Sequence, residues 1–229
     1  MQLPDIANKS KGRLRAAFLC GWFFWVGMAL SACAGGNGGP FSSTVATFIP
    51  GEGDYSRQAE SIPYASIALS VAGHGGLLVL AEKSDRVTFW QTSTGETVVL
   101  ANEYLEATRG LSRDLLSARV VGESSPPWHG AVGDPVSYKV ERSWRDSEGR
   151  EKAGQGNATL TCGPEREKLD LPLAAIRLER CREVVSWSNG KQTASVIWRS
   201  PGDRHIWAAE VVPWPGGPVI AWRVARPWW

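Results

Sequence analysis

Residues 176–187 read IRLERCREVVSW, followed by Ser188-Asn189-Gly190-Lys191 and by ASVIW from Ala194 to Trp198. The first stretch is a β-rich run and the second is its return. The Asn-Gly pair between them favours a tight hairpin in which both central positions take positive φ. Pro201-Gly202-Asp203 then predicts a turn, Ile206 to Val212 a strand, Pro215-Gly216-Gly217-Pro218 a turn, and Val219 to Ala225 a last strand. Short strands punctuated by Gly/Pro turns at this spacing point to an all-β sandwich, barrel or coiled sheet.

The same grammar runs upstream. Leu77 to Leu80 is a short apolar run, Arg86 to Trp90 alternates, and Thr97 to Leu100 follows a Thr-Gly turn. Val136, Tyr138, Val140 and Trp144 alternate with Ser137, Lys139, Glu141 and Ser143, the pattern of a half-buried strand. Asp146 to Gly149 turns the chain, and Ala158, Leu160 and Cys162 share a face of the next strand. Helical spacing is scarce; its best short candidate is Gly110 to Leu116. No internal repeat interrupts the pattern, so the chain is expected to form one domain of antiparallel, coiled or bifurcated sheets over residues 51–229.

Composition narrows the function. The chain has 229 residues with 25 Lys+Arg against 23 Asp+Glu, which argues against a nucleic-acid binder held by a basic field. A hydrophobic content of 43% with 21% charged residues excludes bulk disorder. A single long apolar stretch, near the N-terminus, excludes a multi-span membrane protein.

That stretch reads as an address. Lys9, Lys11, Arg13 and Arg15 precede Ala16 to Leu30, which carry no charge, and Leu30-Ser31-Ala32-Cys33 follow. A basic head, a short apolar run and small residues describe a secretory signal peptide over residues 1–32. The run is short for a membrane span, which needs about 20 apolar residues. Leu30, Ser31, Ala32 and Cys33 resemble a bacterial lipobox, in which the Cys33 thiol is acylated and the chain is cut before it. The alternatives are an uncleaved anchor or an ordinary signal peptide with a chance cysteine. The composition of Ala34 to Pro40 is that of a flexible tether, assigned with Cys33 to residues 33–50. Two or three acyl chains, at about 0.8 kcal/mol per buried methylene, hold a protein stably on a bilayer. Ala34 stands where lipoproteins kept at the inner membrane usually carry Asp, and the lipoprotein resemblance therefore implies the outer membrane. Residues 1–32 carry four basic side chains and Asp5, so the remainder has a net charge of −1 and the basicity belongs to the signal peptide.

Cys162 and Cys181 remain once Cys20 and Cys33 are accounted for. An even pair in an oxidising compartment predicts a disulfide, worth roughly 3 kcal/mol for a loop of about 20 residues. Two buried thiols are the alternative. Neither cysteine has a neighbouring ligand at metal-site spacing.

Several blocks resemble the YjbF-type lipoprotein family, also described as group 4 capsule polysaccharide lipoproteins. They are Leu77 to Ala81 with Phe89-Trp90, then Ala107-Thr108-Arg109-Gly110-Leu111, then Trp198 to Trp207 followed by Trp214-Pro215-Gly216-Gly217-Pro218. The family often has an Asn-Gly turn before its Thr-x-Gly-Leu; here the stretch is Ala101-Asn102-Glu103. The resemblance implies bifurcated, coiled β-sheets, a periplasm-facing outer-membrane lipoprotein, association with exopolysaccharide or capsule assembly proteins, and no catalytic activity or cofactor.

His74, His129 and His205 sit in separate Gly- or Pro-rich stretches, read as solvated loops, and no metal site is expected. Asp134, Asp203, Glu179, Glu183 and Glu210 are read as solvent-facing, although a pair about 5–10 Å apart would suit glycoside cleavage. Of the tryptophans, Trp90, Trp144, Trp187, Trp198 and Trp222 are assigned to the core. Trp214, Trp228 and Trp229 are expected to be exposed. With Trp207 and Arg204 they are the candidate contacts for a glycan or partner, since an indole face stacks on a sugar ring. Arg177, Arg180, Arg182, Arg199, Arg223 and Arg226 add cations, read as a solvated face or an anion-binding patch. The sequence thus supports a non-enzymatic lipoprotein assisting exopolysaccharide assembly or secretion, a lipoprotein binding acidic glycan directly, or a periplasmic polysaccharide-modifying enzyme.

Overall fold

The computed structural model describes residues 55–123 and 125–229, which belong to one compact unit. The signal peptide, Leu30 to Cys33 and the tether lie outside the described residues. A short helix α1 (Ser56–Ser61) leads into strands β1 (Ser66–Val71), β2 (His74–Ser84), β3 (Val87–Gln91), β4 (Thr97–Ala101), β5 (Tyr104–Arg109) and β6 (Leu115–Val121). A 3₁₀ turn (Pro127–His129) precedes β7 (Val136–Arg145), β8 (Glu151–Asp170), β9 (Ala175–Trp187), β10 (Gln192–Arg199), β11 (Ile206–Val211) and β12 (Ile220–Arg226). Among the described residues no helix is long and apolar enough to cross a membrane.

All pairings are antiparallel, and the strands form one sheet in the order β5-β4-β3-β2-β1-β12-β11-β10-β9-β8-β7-β6. Each strand pairs with its sequence neighbour, with one exception. β5 and β6 are the two edges, and β1 pairs instead with β12 in register Ser70↔Ala221 and Val71↔Ile220. The sheet curls until it is nearly closed into a barrel, leaving a seam between its edges. The expected all-β fold is therefore present as a single coiled sheet.

Alternation explains what fills it. β9 buries Glu179, Cys181, Glu183, Val185 and Trp187 on one face and exposes Arg180, Arg182 and Ser186 on the other. Trp90, Trp222, Leu100, Leu115, Leu160, Ile197 and Ile206 pack together in the main core. Burying a large aliphatic side chain is worth about 1.5–3 kcal/mol. On the outer face, Leu178 is covered by Leu169, Leu171, Trp198 and Ala208. Ala59 of α1 packs on Ala68, Leu77 and Ala225. Gly75 permits this docking: a Cβ there would lie 2.4 Å from the Tyr55 hydroxyl and 2.4 Å from the Leu69 carbonyl oxygen.

Cys162 and Cys181 are bonded and face each other across β8 and β9, with Cα atoms 3.9 Å apart. The register then slips before Arg166↔Glu179. Pro164, which has no N–H for a ladder bond, lies within this irregularity.

Two local expectations are corrected. Gly110 to Leu116 is not a helix: Asp114 accepts the Gly110 and Leu111 amides, both at 3.1 Å, and the chain turns directly into β6. The hairpin at Asn189-Gly190 places only Gly190 at positive φ. The Trp187 amide donates to Lys191 and the Gly190 amide back to Trp187, a three-residue loop ending in a left-handed glycine. The turns closed by Thr92–Glu96 and Asp146–Arg150 repeat that hydrogen-bond pattern. A pair of central residues at positive φ occurs instead at Asn102 (46°) and Glu103 (68°).

Candidate functional site

The edges β5 and β6 are bridged at one end by side chains. The Thr108 hydroxyl donates to Asp114 at 2.9 Å and accepts the Leu115 amide at 2.9 Å. Farther along lies a cavity of about 260 Å³, with Tyr104 and Glu106 on one side and Ala118 and Val120 on the other. Arg86, Arg119 and Glu123 also line it, and its polar lining includes Tyr138, Arg142 and Glu183.

Together with Tyr104, these polar groups come from three strands and meet because alternation turns them inward. Glu183 on β9 is 1% exposed, and Arg142 on β7 is 4% exposed. The Glu183 carboxylate accepts hydrogen bonds from Tyr138 Oη at 2.5 Å, Tyr104 Oη at 2.9 Å and Arg142 Nη2 at 3.3 Å. Arg142 Nη1 donates to the Pro213 carbonyl at 2.8 Å, and its guanidinium lies over the Trp187 ring. Burial, the largest single influence, would pull Arg142 down, but Glu183, Tyr104, Tyr138 and the hydrogen bond to Glu183 together outweigh it and hold the guanidinium above its ordinary pKa. Burial and the same carboxylate push both Tyr104 and Tyr138 upward. The cluster is thus a neutral, hydrogen-bonded ion pair with both phenols protonated. Glu183 was expected to face solvent. It is instead held inside, because its position on β9 shares a face with Cys181 and Val185.

A second cluster joins three segments at one end of the sheet. Glu103, in the β4–β5 turn, accepts the Ile206 amide at 2.8 Å and bonds the His205 ring. Arg199, fully buried on β10, pairs with Glu179 at 3.1 Å through Nε and donates to the Trp128 carbonyl through Nη1; its Nη2 has no hydrogen-bond partner. Arg204 also bonds Glu179. Burial lowers the His129 pKa, against the opposing pull of Glu103. His129 is exposed, as its sequence neighbourhood suggests, whereas His205 is half-buried, bonded to Glu103 and stacked on Trp229. Among the described residues, no group of His, Cys, Asp and Glu is arranged to hold a metal ion.

The predicted contact residues divide. Trp229 stacks on His205, with centroids 4.4 Å apart and an 8° interplanar angle, and meets Trp207 and Trp228 edge-on at 5.0 and 4.5 Å. Trp228 in turn packs on Trp90. Trp207, Trp228 and Trp229 thus form one cluster beside Arg204, although the Arg204 guanidinium is turned to Glu179. Trp214 is a correction. It is 3% exposed and stacks flat on Trp144 at 5.6 Å. Its turn folds back over it, with Gly217 so close that a Cβ would lie 2.9 Å from the indole.

The proposed carboxylate pair does not assemble at one open site. Glu179 and Glu183 are each engaged by arginine, whereas Asp134 and Glu210 are exposed. Much of the supposed arginine patch is also engaged. Arg180 lies over Trp198, Arg223 donates to the Asp170 carbonyl, and Arg226 donates to the Ala59 carbonyl.

Tyr104, Tyr138 and Arg142 carry the interior cluster and were not among the sequence candidates. Arg142 had a readable signal: it is the one position on the apolar face of β7, between Val140 and Trp144, that breaks the alternation.

No protein-family model matches the chain, and no curated protein matches it significantly. Among solved structures, the hypothetical lipoprotein YmcC from Escherichia coli (K12) is similar, with a TM-score of 0.67 and 16% sequence identity. The match covers 82% of this chain and 95% of that one. The two share a fold.

Proposed function

We propose that this protein is a lipid-anchored, non-enzymatic accessory or scaffolding factor for exopolysaccharide or capsule assembly and secretion, held at the periplasmic face of the outer membrane through Cys33. One observation carries the reading: the lipobox sequence Leu30 to Cys33 stands ahead of a β body with the fold of a hypothetical lipoprotein. The polysaccharide role draws on the family resemblance of the Leu77, Thr108 and Trp198 blocks.

Mass spectrometry of the native protein should find acyl chains on Cys33 as the first residue. Loss of the gene should reduce secreted or surface exopolysaccharide, with restoration by the wild-type chain. An unmodified Cys33, or unchanged polysaccharide in the deletion strain, would overturn the corresponding half of the proposal.

A second reading, direct contact with acidic glycan, is favoured by the seam cavity. Its volume lies near the lower end of small-molecule sites, about 300 Å³, which suits one sugar ring. Tyr104 stacked on Trp128 at 4.8 Å, together with Arg86 and Arg119, supplies aromatic and cationic lining. Titration with acidic exopolysaccharide should then change Trp emission, and Arg86→Ala/Arg119→Ala should abolish the change. A flat titration would reject this reading.

A further inference from the structure

The outer face of β6, β7 and β8 is recessed. Two shallow concavities of about 360 and 510 Å³ lie side by side there and share Glu141, Gln155 and Ser188. Inward-facing glycines on β8 account for the recess. A Cβ at Gly156 would lie 2.6 Å from Val185 Cγ1, and one at Gly154 would lie 3.3 Å from the Trp144 ring. With no side chains to hold it off, β8 settles onto the core. The groove meets the seam cavity at edge strand β6, where Arg119 lines both.

Most outward side chains in the groove are short and polar. Ser117, Ser143 and Ala153 stand opposite one another across β6, β7 and β8, and Val121, Lys139, Asn157 and Ser186 form a second row that reaches β9. Between these rows the Glu141 carboxylate accepts Arg119 Nη2 at 3.2 Å and Gln155 Nε2 at 3.0 Å. Elsewhere outward positions carry long charged groups, such as Arg180 and Arg182 on β9 and Arg223 on β12. Among the described residues, the side chains of Lys139, Asn157 and Ser188 make no hydrogen bond. Hydroxyls and amides on short stems donate and accept, and they lose little rotamer freedom when a ligand fixes them. Protein interfaces are depleted in Ser, Ala, Lys and Glu, which is the composition found here. Val121 is the one large apolar side chain that points outward in the groove. The chemistry is that of a polyhydroxylated ligand.

The charges add that the ligand is acidic. Arg119 and Lys139 outnumber Glu141 in the groove. At its margin Arg145 pairs with Glu151, and Arg150 pairs with Asp146 and Glu148. Lys152 and Lys191 have no ion-pair partner among the described residues. The cavity side has no such excess. There Glu106 and Glu123 balance Arg86 and the shared Arg119, and Glu183 matches Arg142.

We propose that the groove and the seam cavity form one track for an acidic polysaccharide chain. One ring enters the cavity, and the units that follow lie over β6 to β8 with their carboxylates at Lys139 and Arg119. This rests on the glycan-contact reading and extends it from a single ring to a length of chain.

The test is calorimetric titration of the full acylated chain in detergent. The probes are a ladder of fragments, from the single sugar upward, cut from the acidic exopolysaccharide of the producing bacterium, and the same ladder after carboxyl reduction. Affinity should rise with length beyond the single sugar. Lys139→Ala should weaken the longest acidic fragments by about tenfold, the loss of one charge-assisted hydrogen bond, and leave the single sugar unchanged. Ala153→Leu, an exposed substitution that fills the groove, should remove the gain with length. The carboxyl-reduced ladder should be indifferent to Lys139→Ala. Affinity that does not rise with length, or a rise that survives both substitutions, overturns the track and leaves the single-ring contact standing. A ladder that binds as tightly after carboxyl reduction overturns the placement of carboxylates at Lys139. Silence with every fragment overturns both readings. A photo-cross-linker on Ala153→Cys that captures a protein in the cell, with the ladder silent, would assign the groove to a protein partner and overturn the proposal.

Discussion

Glu183 takes three donors from three side chains, and the consequences of removing it differ from those of removing any of them. Glu183→Ala would leave the Arg142 guanidinium buried without its counter-charge. Losing one partner of a buried pair costs about 3–5 kcal/mol, and urea unfolding should show a loss of that order. The phenols set a limit on the alkaline side. Burial raises both tyrosines in the folded chain, so below pH 10 they are neutral in both states and cost nothing. Above pH 10 the unfolded chain releases protons that the folded chain retains, and stability falls as pH rises. Tyr104→Phe/Tyr138→Phe should flatten that decline in a series of unfolding midpoints against pH, at a fixed loss from the missing bonds to Glu183. Glu103 is informative in another way. A left-handed Glu is strained by about 1–3 kcal/mol relative to ordinary regions, yet its carboxylate secures Ile206 and His205. That contact gives a physical reason for Glu at a position whose positive φ favours glycine.

At the scale of elements, most strands were legible and their partners were less so. Val136 to Trp144 and Ile176 to Trp187 announce themselves because a two-residue period survives in the side chains. The helix expected over Gly110 to Leu116 fails because Asp114 and Thr108 capture the local amides, a competition that helical spacing does not register. Trp214 looked exposed beside a Pro-Gly-Gly-Pro turn; the glycine that tightens the turn is what lets the turn close over the ring. His205 meets Glu103 only through a contact between remote loops, which no local pattern encodes. The disulfide joins strands already in register, so its contribution is to the unfolded chain. Cys162→Ala/Cys181→Ala should keep the same circular dichroism spectrum and lose roughly 3 kcal/mol in denaturant unfolding.

For the whole molecule, the pairing of β1 with β12 was hidden in the sequence because it joins segments some 150 residues apart. That pairing relocates the break in the meander to β5 and β6. Edge strands lack half of their ladder bonds, and local stability follows bonding and burial. Hydrogen exchange should therefore be fastest, among the strands, in β5 and β6 and slowest near β1 and β12. Asp114→Ala removes the acceptor for the Thr108 hydroxyl and two amides, at a cost of about 1–3 kcal/mol. It should accelerate exchange at the seam without changing protection at β1.

The position of β1 has a mechanical consequence. A leash attached ahead of it delivers its tension to a strand zipped on both flanks, by β2 and by β12. The slit where the wall is weakest lies at the far end of the strand order. On the proposed Cys33 anchorage, a tug from the bilayer would thus be carried by the best-secured part of the body and not by the slit.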